Sequence, residues 1–260
     1  MTEPRLLRHD AEGIATLTLN APRTLNALSS AMLSDLGRTL AGIEADRSVR
    51  VVILAASGRA FCAGHDLKEM QAARSAPDRG AGFFADLFSA CSAVMQQITR
   101  LPQPVIAQVQ GVATAAGCQL VASCDLAVAA EGARFGVNGV NVGLFCSTPM
   151  VALTRNIAPK AAFEMLTTGE FVSAARALDL GLVNRVVAAD RLAAETAALA
   201  ATIASKLDPA VRIGKRVFYD QIGLTLDRAY AVAGQAMIDN MLLRETDQSI
   251  SDFLGRARTG

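Results

Sequence analysis

Two short, almost entirely apolar segments, RVVILAAS at 50–57 and PVIAQVQG at 104–111, most constrain the fold of this chain. Continuous apolar runs of this length are typical of strands covered on both faces, as in parallel sheets. Helix-forming sequence separates them, so strand, crossover helix and strand recur with short connections. Further strand signals occur at GIATLTLN (13–20), DLAVAA (125–130) and LVNRVV (182–187). The N-terminal two-thirds is therefore predicted to be α/β with parallel strands.

Helical periodicity dominates the rest of the chain. A helix is predicted from a cap at Ser29 or Ser30 to about Ala45, because apolar residues recur there at helical spacing. After residue 190 every segment is predicted to be helical, and no linker separates these helices from the core. We therefore predict an α/β core over 1–189 and a helical oligomerisation region over 190–260. The apolar content of 52% favours helices that bury a second face between subunits, so we expect a homo-oligomer.

The overall charge gives no general attraction to nucleic acid or to anionic membranes. The formal net charge is +1 at pH 7, so an anionic ligand must be held by a local group of cations. No uninterrupted apolar run approaches the ~18 residues of a membrane span. The N-terminal segment MTEPRLLRHD contains acids and no apolar stretch. The sequence thus predicts neither a nucleic-acid nor a membrane partner, and a cytoplasmic location.

The distribution of cysteine and histidine argues against a metal site. The five cysteines are an odd number in apolar surroundings, with no CxxC or histidine-paired spacing. Reduced, buried thiols are the simplest interpretation. Of the two histidines, His9 is predicted to lie in a surface turn, which leaves His65 as the candidate for chemistry.

Two loops rich in small residues carry the functional signal. GRAFCAGHDL at 58–67 and VQGVATAAGCQLV at 109–121 follow predicted parallel strands, where open α/β sheets place their ligands. Unobstructed N–H groups where such a loop enters a helix can hold an anion or an oxyanion. The alternative is that a tight strand-to-helix crossing needs small residues for steric reasons alone. The sequence contains neither GxGxxG nor GxxxxGKS/T, which excludes the standard Rossmann and P-loop interpretations.

Together with a third segment, these loops resemble a known family. NAPRTLNALS at 20–29, GRAFCAGHDLKEM at 58–70 and QGVATAAGCQLVASCDLAVAAEGARFG at 110–136 are similar to three blocks of the enoyl-CoA hydratase/isomerase (crotonase) superfamily. The likeness covers nearly the whole chain. It implies a crotonase (ClpP-like) fold of repeated β-β-α turns, with a C-terminal helical region that builds a homo-trimer or hexamer. It also implies acyl-CoA thioesters as ligands, with coenzyme A as part of the substrate and no covalently bound cofactor.

In this family two backbone N–H groups hold the thioester carbonyl oxygen as it becomes an enolate. The resemblance assigns these groups to His65 and Ala116, one in each small-residue loop. It also implies contacts with coenzyme A, the last two from a neighbouring subunit, by Arg23, Leu25, Ala63, His65, Asp66, Leu67, Lys68, Phe253 and Arg256. Arginine and lysine can pair with phosphates even in a chain of little net charge. The alternative for each cation is a solvated surface position.

The chain departs from the family at the two positions that carry hydratase chemistry. Hydratases of the family use one glutamate to activate water and another to protonate the α-carbon, and the resemblance places Gln119 and Gly139 at those positions. An amide does not titrate and cannot act as a general base near pH 7. Since general acid–base catalysis supplies ~10²- to 10⁴-fold per group, we expect hydration by two glutamates to be nearly lost.

Other functions remain open. His65 in the setting AGHDL resembles some decarboxylases of the family, in which the oxyanion hole matters more than a carboxylate base. Alternatively, only its amide acts and its ring occupies a hydrogen-bonded pocket. Cys146 is a candidate for thioester hydrolysis if a nearby base lowers its pKa, and the chain could also bind acyl-CoA without turnover. Asp66 is expected to fix its loop or to cap a helix.

Overall fold

The computed structural model describes residues 3–256, which form two β-sheets and the helices that cover them. The strands are β1 (Leu6–Ala11), β2 (Ile14–Leu19), β3 (Val51–Ala56), β4 (Ala60–Cys62), β5 (Val105–Val109), β6 (Val112–Thr114), β7 (Leu126–Ala130), β8 (Arg134–Gly136), β9 (Val172–Ser173) and β10 (Arg185–Val187). The larger sheet has the order β1-β2-β3-β5-β7-β10 and is parallel except for β1. The smaller has the order β4-β6-β8-β9 and is parallel except for β9.

The helices alternate with the strands and then dominate the C-terminal part. They are α1 (Ser30–Ala45), α2 (Leu67–Ala73), α3 (Ala81–Arg100), α4 (Ala116–Ser123), α5 (Ser147–Leu153), α6 (Pro159–Thr168), α7 (Ala174–Leu180), α8 (Leu192–Ala204), α9 (Asp208–Gln221), α10 (Leu226–Met241) and α11 (Arg244–Arg256). The prediction of an α/β fold with parallel strands is confirmed. No helix within residues 3–256 is both long enough and apolar enough to cross a membrane.

The central strands are buried on both faces, as their continuous apolar sequence predicts. In β3, Val52 and Leu54 belong to one core, which also contains the buried faces of α1 and α3. Val51 and Ile53 point the other way, into a second core that Leu192 of α8 helps to close. Helices on both sides therefore fix the plane of the larger sheet, whereas the loops after β4 and β6 project from the smaller one.

Helix α1 begins and ends where its sequence predicts. The Ser29 hydroxyl accepts a hydrogen bond from the N–H of Met32 at 3.2 Å, which caps the first turn. The leucines and the isoleucine that recur at helical spacing are all buried. Residues 28 and 29 thereby become a fixed support for the loop that contains His65.

The second sheet is where sequence-based prediction fails. His9 lies in β1 and not in a surface turn, because Leu6–Ala11 pairs along its whole length with β2. The segment GRAFCAGHDL is not a simple loop, since it contains β4 and reaches the first residue of α2. The small-residue turn after Val109 likewise contains β6. Strands of three residues carry too little periodicity to be recognised without their partners.

A buried ion pair ties the C-terminal helices to the core. Lys215 of α9 lies 2.6 Å from a carboxylate oxygen of Asp125, which immediately precedes β7. The other oxygen of Asp125 accepts a hydrogen bond from the Tyr219 hydroxyl at 2.8 Å. Burial lowers the pKa of Lys215, while the attraction of Asp125 opposes that change.

The C-terminal helices differ in how they meet the core. Helix α8 packs directly on the large sheet, whereas α10 packs mainly on α9. The outward side of α10 exposes large apolar side chains, among them Leu226, Tyr230, Met237, Ile238 and Met241. A helix in a soluble monomer seldom exposes so many. The division at residue 189 and the homo-oligomer stay predictions.

Candidate active site

Two glycines allow the two small-residue loops to touch. The first loop runs from β4 through Gly64 into α2, and the second runs from β6 through Ala115 into α4. A Cβ atom on Gly64 would lie 2.9 Å from the Cβ of Ala115 and 3.4 Å from the nitrogen of Ala116. A Cβ on Gly117 would overlap the carbonyl oxygen of Cys62, the last residue of β4. The bare backbone at both positions therefore lets the loops approach each other.

The N–H groups of His65 and Ala116 donate to no acceptor within residues 3–256. Ala116 is the first residue of α4, where a helical N–H has no partner inside the helix. Its predecessor Ala115 has φ 50° and ψ −120°, a strained conformation for a residue with a Cβ. Hydrogen bonds hold it there: its N–H donates to Gly136 at 2.9 Å, and its carbonyl accepts from the N–H of Gln119 at 3.0 Å. Two unpaired donors on adjoining loops are what an oxyanion requires.

The His65 imidazole is fixed by contacts with Leu28 and Phe88. Its Nδ1 lies 3.1 Å from the Leu28 carbonyl oxygen, and because that oxygen can only accept, Nδ1 carries the proton. The ring meets Phe88 edge-on, with centroids 5.6 Å apart. Nε2 is buried and has no partner among the described residues. Burial lowers the pKa of His65, against the opposing influence of the Leu28 carbonyl and the Glu69 carboxylate, so the ring is neutral near pH 7.

The lowered pKa predicts that the protein loses stability in mild acid. As the pH falls below 6.5, the ordinary value for histidine, the unfolded chain binds a proton at His65 before the folded chain does. The stabilising contribution is therefore full above pH 6.5 and is lost as the pH falls through the lower folded-state pKa. Below pH 6.5 we expect the free energy of unfolding of His65→Asn to depend less on pH than that of the wild type, by up to ~1.4 kcal/mol per pH unit.

Chemical denaturation at a series of pH values measures this difference. His9→Gln is the matched control, because it removes the other histidine of the chain from an exposed position on β1. Equal pH dependence in wild type and His65→Asn would show that the ring of His65 takes up its proton as easily in the folded chain as in the unfolded one.

Gln119 lies on α4 one turn after Ala116, so the two residues share a face of the helix. Its side chain is 4% exposed. Its Oε1 is buried and has no hydrogen-bond partner among the described residues. Burying an amide oxygen without a hydrogen-bond partner costs free energy. We therefore interpret Oε1 of Gln119 as an atom that faces a ligand or water.

Gly139 lies in the short 3₁₀ turn Asn138–Val142 after β8, in a position without room for a side chain. Its Cβ would overlap the carbonyl oxygen of Leu144 and lie 2.8 Å from the sulfur of Cys146. A carboxylate here would require the segment to move. Cys146 is buried, and burial raises the pKa of its thiol. This opposes the thiolate that hydrolysis of a thioester would need.

The structure joins the first and second resembling blocks. The N–H of Ala63 donates to the carbonyl oxygen of Leu25 at 3.0 Å, which places the segment at 20–29 against the His65 loop. A carboxylate oxygen of Asp66 accepts from the N–H of Lys68 at 2.9 Å and caps α2. Asp66 thus caps a helix, which is one of the two structural roles expected for it.

Four of the remaining residues implied for coenzyme A are exposed. Arg23 and Lys68 are exposed, and Leu67 is 59% exposed at the start of α2. Phe253 is exposed on α11, and the side chain of Arg256 lies outside the described part of the chain.

Asn26 is a site-forming residue that sequence reasoning missed. It is fully buried, with a positive φ of 54°. Its side chain accepts from the N–H of Ala21 at 2.8 Å and donates to the carbonyls of Ser57 and Ala60 at 2.8 and 2.9 Å. The available signal was an asparagine between apolar residues in the first resembling block, since asparagine tolerates this backbone region and can satisfy several backbone groups at once.

Comparison with known proteins shows the family of this chain. A model of the family described as enoyl-CoA hydratase/isomerase matches residues 9–258. This chain belongs to the enoyl-CoA hydratase/isomerase family. A crystal structure of an enoyl-CoA hydratase from Mycobacterium smegmatis is 56% identical and superposes with a TM-score of 0.94, covering 98% of this chain and 97% of that one. The resemblance seen in the sequence and the predicted crotonase-type fold are both confirmed.

Relatives in animals correct one prediction about this family member. The mouse protein named enoyl-CoA hydratase domain-containing protein 3, mitochondrial, is 45% identical over 258 residues, covering 99% of this chain and 84% of that protein. The crystal structure of the human protein of that name is 44% identical, with a TM-score of 0.92 over 97% of this chain and 98% of that one. Because the mouse, rat and human relatives are named as mitochondrial, the prediction of a cytoplasmic location is wrong.

The described part of the chain contains no group of three or more histidine, cysteine, aspartate or glutamate residues that could hold a metal ion.

Proposed function

We propose that this family member binds an acyl-CoA thioester and holds its carbonyl oxygen between the N–H groups of His65 and Ala116. The observation that carries the proposal is that these two donors lie on touching loops and have no acceptor among the described residues. Each such donor stabilises a developing enolate by about 3 kcal/mol, as judged from the usual cost of removing one. The strained backbone at Ala115 orients one donor before any ligand arrives.

The groups around the donors favour enolate chemistry over hydration by two glutamates. The Gln119 amide cannot titrate, and the backbone at Gly139 has no space for a carboxylate. A second candidate is decarboxylation of a carboxyacyl-CoA. A carboxylate at either position would repel the carboxyl group that leaves the substrate, and neither Gln119 nor Gly139 supplies one. If neither reaction occurs, the same two donors would serve a non-catalytic acyl-CoA binder.

The proposal extends to the rest of the ligand and to assembly. Lys68 lies three positions after His65, and Arg23 lies in the segment that the Ala63–Leu25 hydrogen bond attaches to the His65 loop. Both side chains are exposed and are proposed to pair with the phosphates of coenzyme A. The exposed apolar side of α10 is proposed to lie in a homo-trimer or hexamer. Fatty-acid or related acyl-CoA metabolism is the proposed setting.

Mass spectrometry of a panel of CoA thioesters after incubation with the purified protein tests these alternatives. We expect that the protein does not add water to crotonyl-CoA at an enzymatic rate. Loss of carbon dioxide from methylmalonyl-CoA would support the decarboxylase. An unchanged panel combined with tight binding of butyryl-CoA would support the binder, and a panel that neither binds nor reacts would contradict the proposed function.

Ala116→Pro removes one of the two donors while disturbing the helix little. Proline is tolerated at the first position of a helix, where the lost N–H has no helical partner. We expect turnover of the CoA thioester identified by the panel to fall ~10²- to 10³-fold. The control is Arg244→Pro, at the exposed first position of α11, with circular dichroism confirming that both variants fold. Turnover in Ala116→Pro equal to that of the control would remove Ala116 from the proposed oxyanion hole.

A further inference from the structure

We propose that Nε2 of the His65 imidazole is the proton acceptor of this site and removes a proton from the carbon next to the thioester carbonyl. The proposal rests on the proposed function, because the backbone N–H of the same residue is assigned to the thioester oxygen. It gives the site an acid–base group that neither Gln119 nor Gly139 supplies.

The first support is the unsatisfied state of this nitrogen. Buried polar side-chain atoms without a partner are uncommon in native proteins, and each one calls for a ligand, a water molecule or a functional role. Among the described residues such atoms occur in four side chains, those of His65, Gln103, Gln110 and Gln119. Of these, His65 is the side chain that titrates.

The second support is that other titratable groups at the loops are occupied or protonated. Asp66 caps α2, and a carboxylate oxygen of Glu69 accepts from the N–H of Ser30 at 3.0 Å. Burial raises the pKa of the Cys62 and Cys118 thiols to about 12, so both stay protonated near neutral pH. His65 is left as the titratable side chain at these loops whose buried lone pair has no partner among the described residues.

The third support is the fixed orientation of the ring. The Leu28 carbonyl holds the proton on Nδ1, which places the lone pair on Nε2. Phe88 of α3 packs against the ring edge-on and is neutral. Glu69 of α2 is the charged group that acts on the ring, and its negative charge would stabilise the imidazolium that forms. Ring and oxyanion donor belong to one residue, so Nε2 lies within one side-chain length of the bound carbonyl.

The step balances without any co-reactant. Nε2 takes the α-proton, and the electron pair of the C–H bond forms the carbon–carbon double bond of the enolate. The carbonyl oxygen gains the negative charge and is held by the N–H groups of His65 and Ala116. The imidazolium and the enolate then attract each other, and because Nε2 is buried this attraction exceeds its value in water. The proton on Nε2 exchanges with solvent, and transfer of the solvent-derived proton or deuteron back to the same carbon completes the exchange.

Exchange of the α-protons of butyryl-CoA with D₂O, followed by proton NMR, measures this step directly. We expect the wild type to catalyse exchange, and His65→Asn to exchange ~10²- to 10⁴-fold more slowly. Asparagine keeps the backbone N–H and can still donate to the Leu28 carbonyl, so the affinity for butyryl-CoA should be preserved. His9→Gln is the control and should exchange at the wild-type rate.

The pH profile of the wild type separates a base from a merely structural histidine. Exchange should rise with pH through a single ionisation below 6.5 and then level off, because the neutral ring is the active form. This readout stands even if the asparagine variant fails to fold. Equal exchange in His65→Asn, or a wild type that binds butyryl-CoA without exchanging its protons, would overturn the role of Nε2 while leaving the proposed function in place. A wild type that binds no acyl-CoA would instead overturn the proposed function.

Discussion

Replacing Lys215 by methionine is expected to lower the free energy of unfolding by about 3–5 kcal/mol, the usual cost of removing one partner of a buried ion pair. The lysine is 8% exposed. Its ammonium donates to Asp125 and also to the backbone carbonyls of Ile98 and Gln103, at 2.9 and 3.0 Å. Methionine fills a similar volume and satisfies none of these acceptors. The charge of Asp125, whose side chain is 14% exposed, would then lack its counter-ion.

Urea denaturation at fixed protein concentration measures the loss. Lys160→Met is the matched control, because Lys160 is exposed in the first turn of α6 and should change stability by less than about 0.5 kcal/mol. A loss in Lys215→Met as small as that of the control would show that water replaces the ammonium at low cost. Since Asp125 also accepts from the N–H of Val105 at 2.6 Å, a large loss would identify this pair as the link between α9 and the strands beneath the site.

Gly117→Ala is expected to damage both stability and any acyl-CoA chemistry. The added Cβ would overlap the Cys62 carbonyl oxygen and lie 2.8 Å from the Cys62 Cβ, closer than real Cβ contacts allow. Overpacking of this kind costs about 1–3 kcal/mol. Because the clash lies between β4 and α4, relief requires the two loops to separate. A displacement near 1 Å at a reacting centre can cost ~10²-fold in rate.

Gly132→Ala provides the control for this second prediction. Gly132 is exposed, and a Cβ there would meet no atom within 4 Å. Denaturation and turnover of the CoA thioester should therefore be close to wild type in that variant. A Gly117→Ala protein with full turnover and unchanged stability would mean that the loops can shift without separating the N–H groups of His65 and Ala116, contrary to the proposed oxyanion hole.

The elements that could be predicted are those whose signal lies within one segment. The continuous apolar run of β3 and the Ser29 cap of α1 are local patterns, and the structure contains both elements at the predicted places. By contrast, β6 and β8 have three residues each. Their extended conformation follows from pairing with each other across the chain, which no local periodicity reveals.

The candidate site divides in the same way. From the sequence one could expect free N–H groups in two small-residue loops, because glycine and alanine leave the backbone uncovered. The resemblance of three blocks added the family and the roles of His65 and Ala116. The sequence could not show that Gly139 faces Leu144 and Cys146 closely enough to exclude a side chain. Such exclusion depends on distances of a few tenths of an ångström between segments.

The sequence by itself determined the α/β class, the family and the two loops that carry the donors, because periodicity, capping and small-residue spacing are properties of neighbouring residues. Only the tertiary structure decided the state of the His65 ring and the pairing of Lys215 with Asp125. Leu28 and His65 are 37 positions apart, and Asp125 and Lys215 are 90 positions apart. Hydrogen bonds and burial between such residues exist only after the sheet has brought their segments together, and burial sets the pKa and the energetic cost of each group.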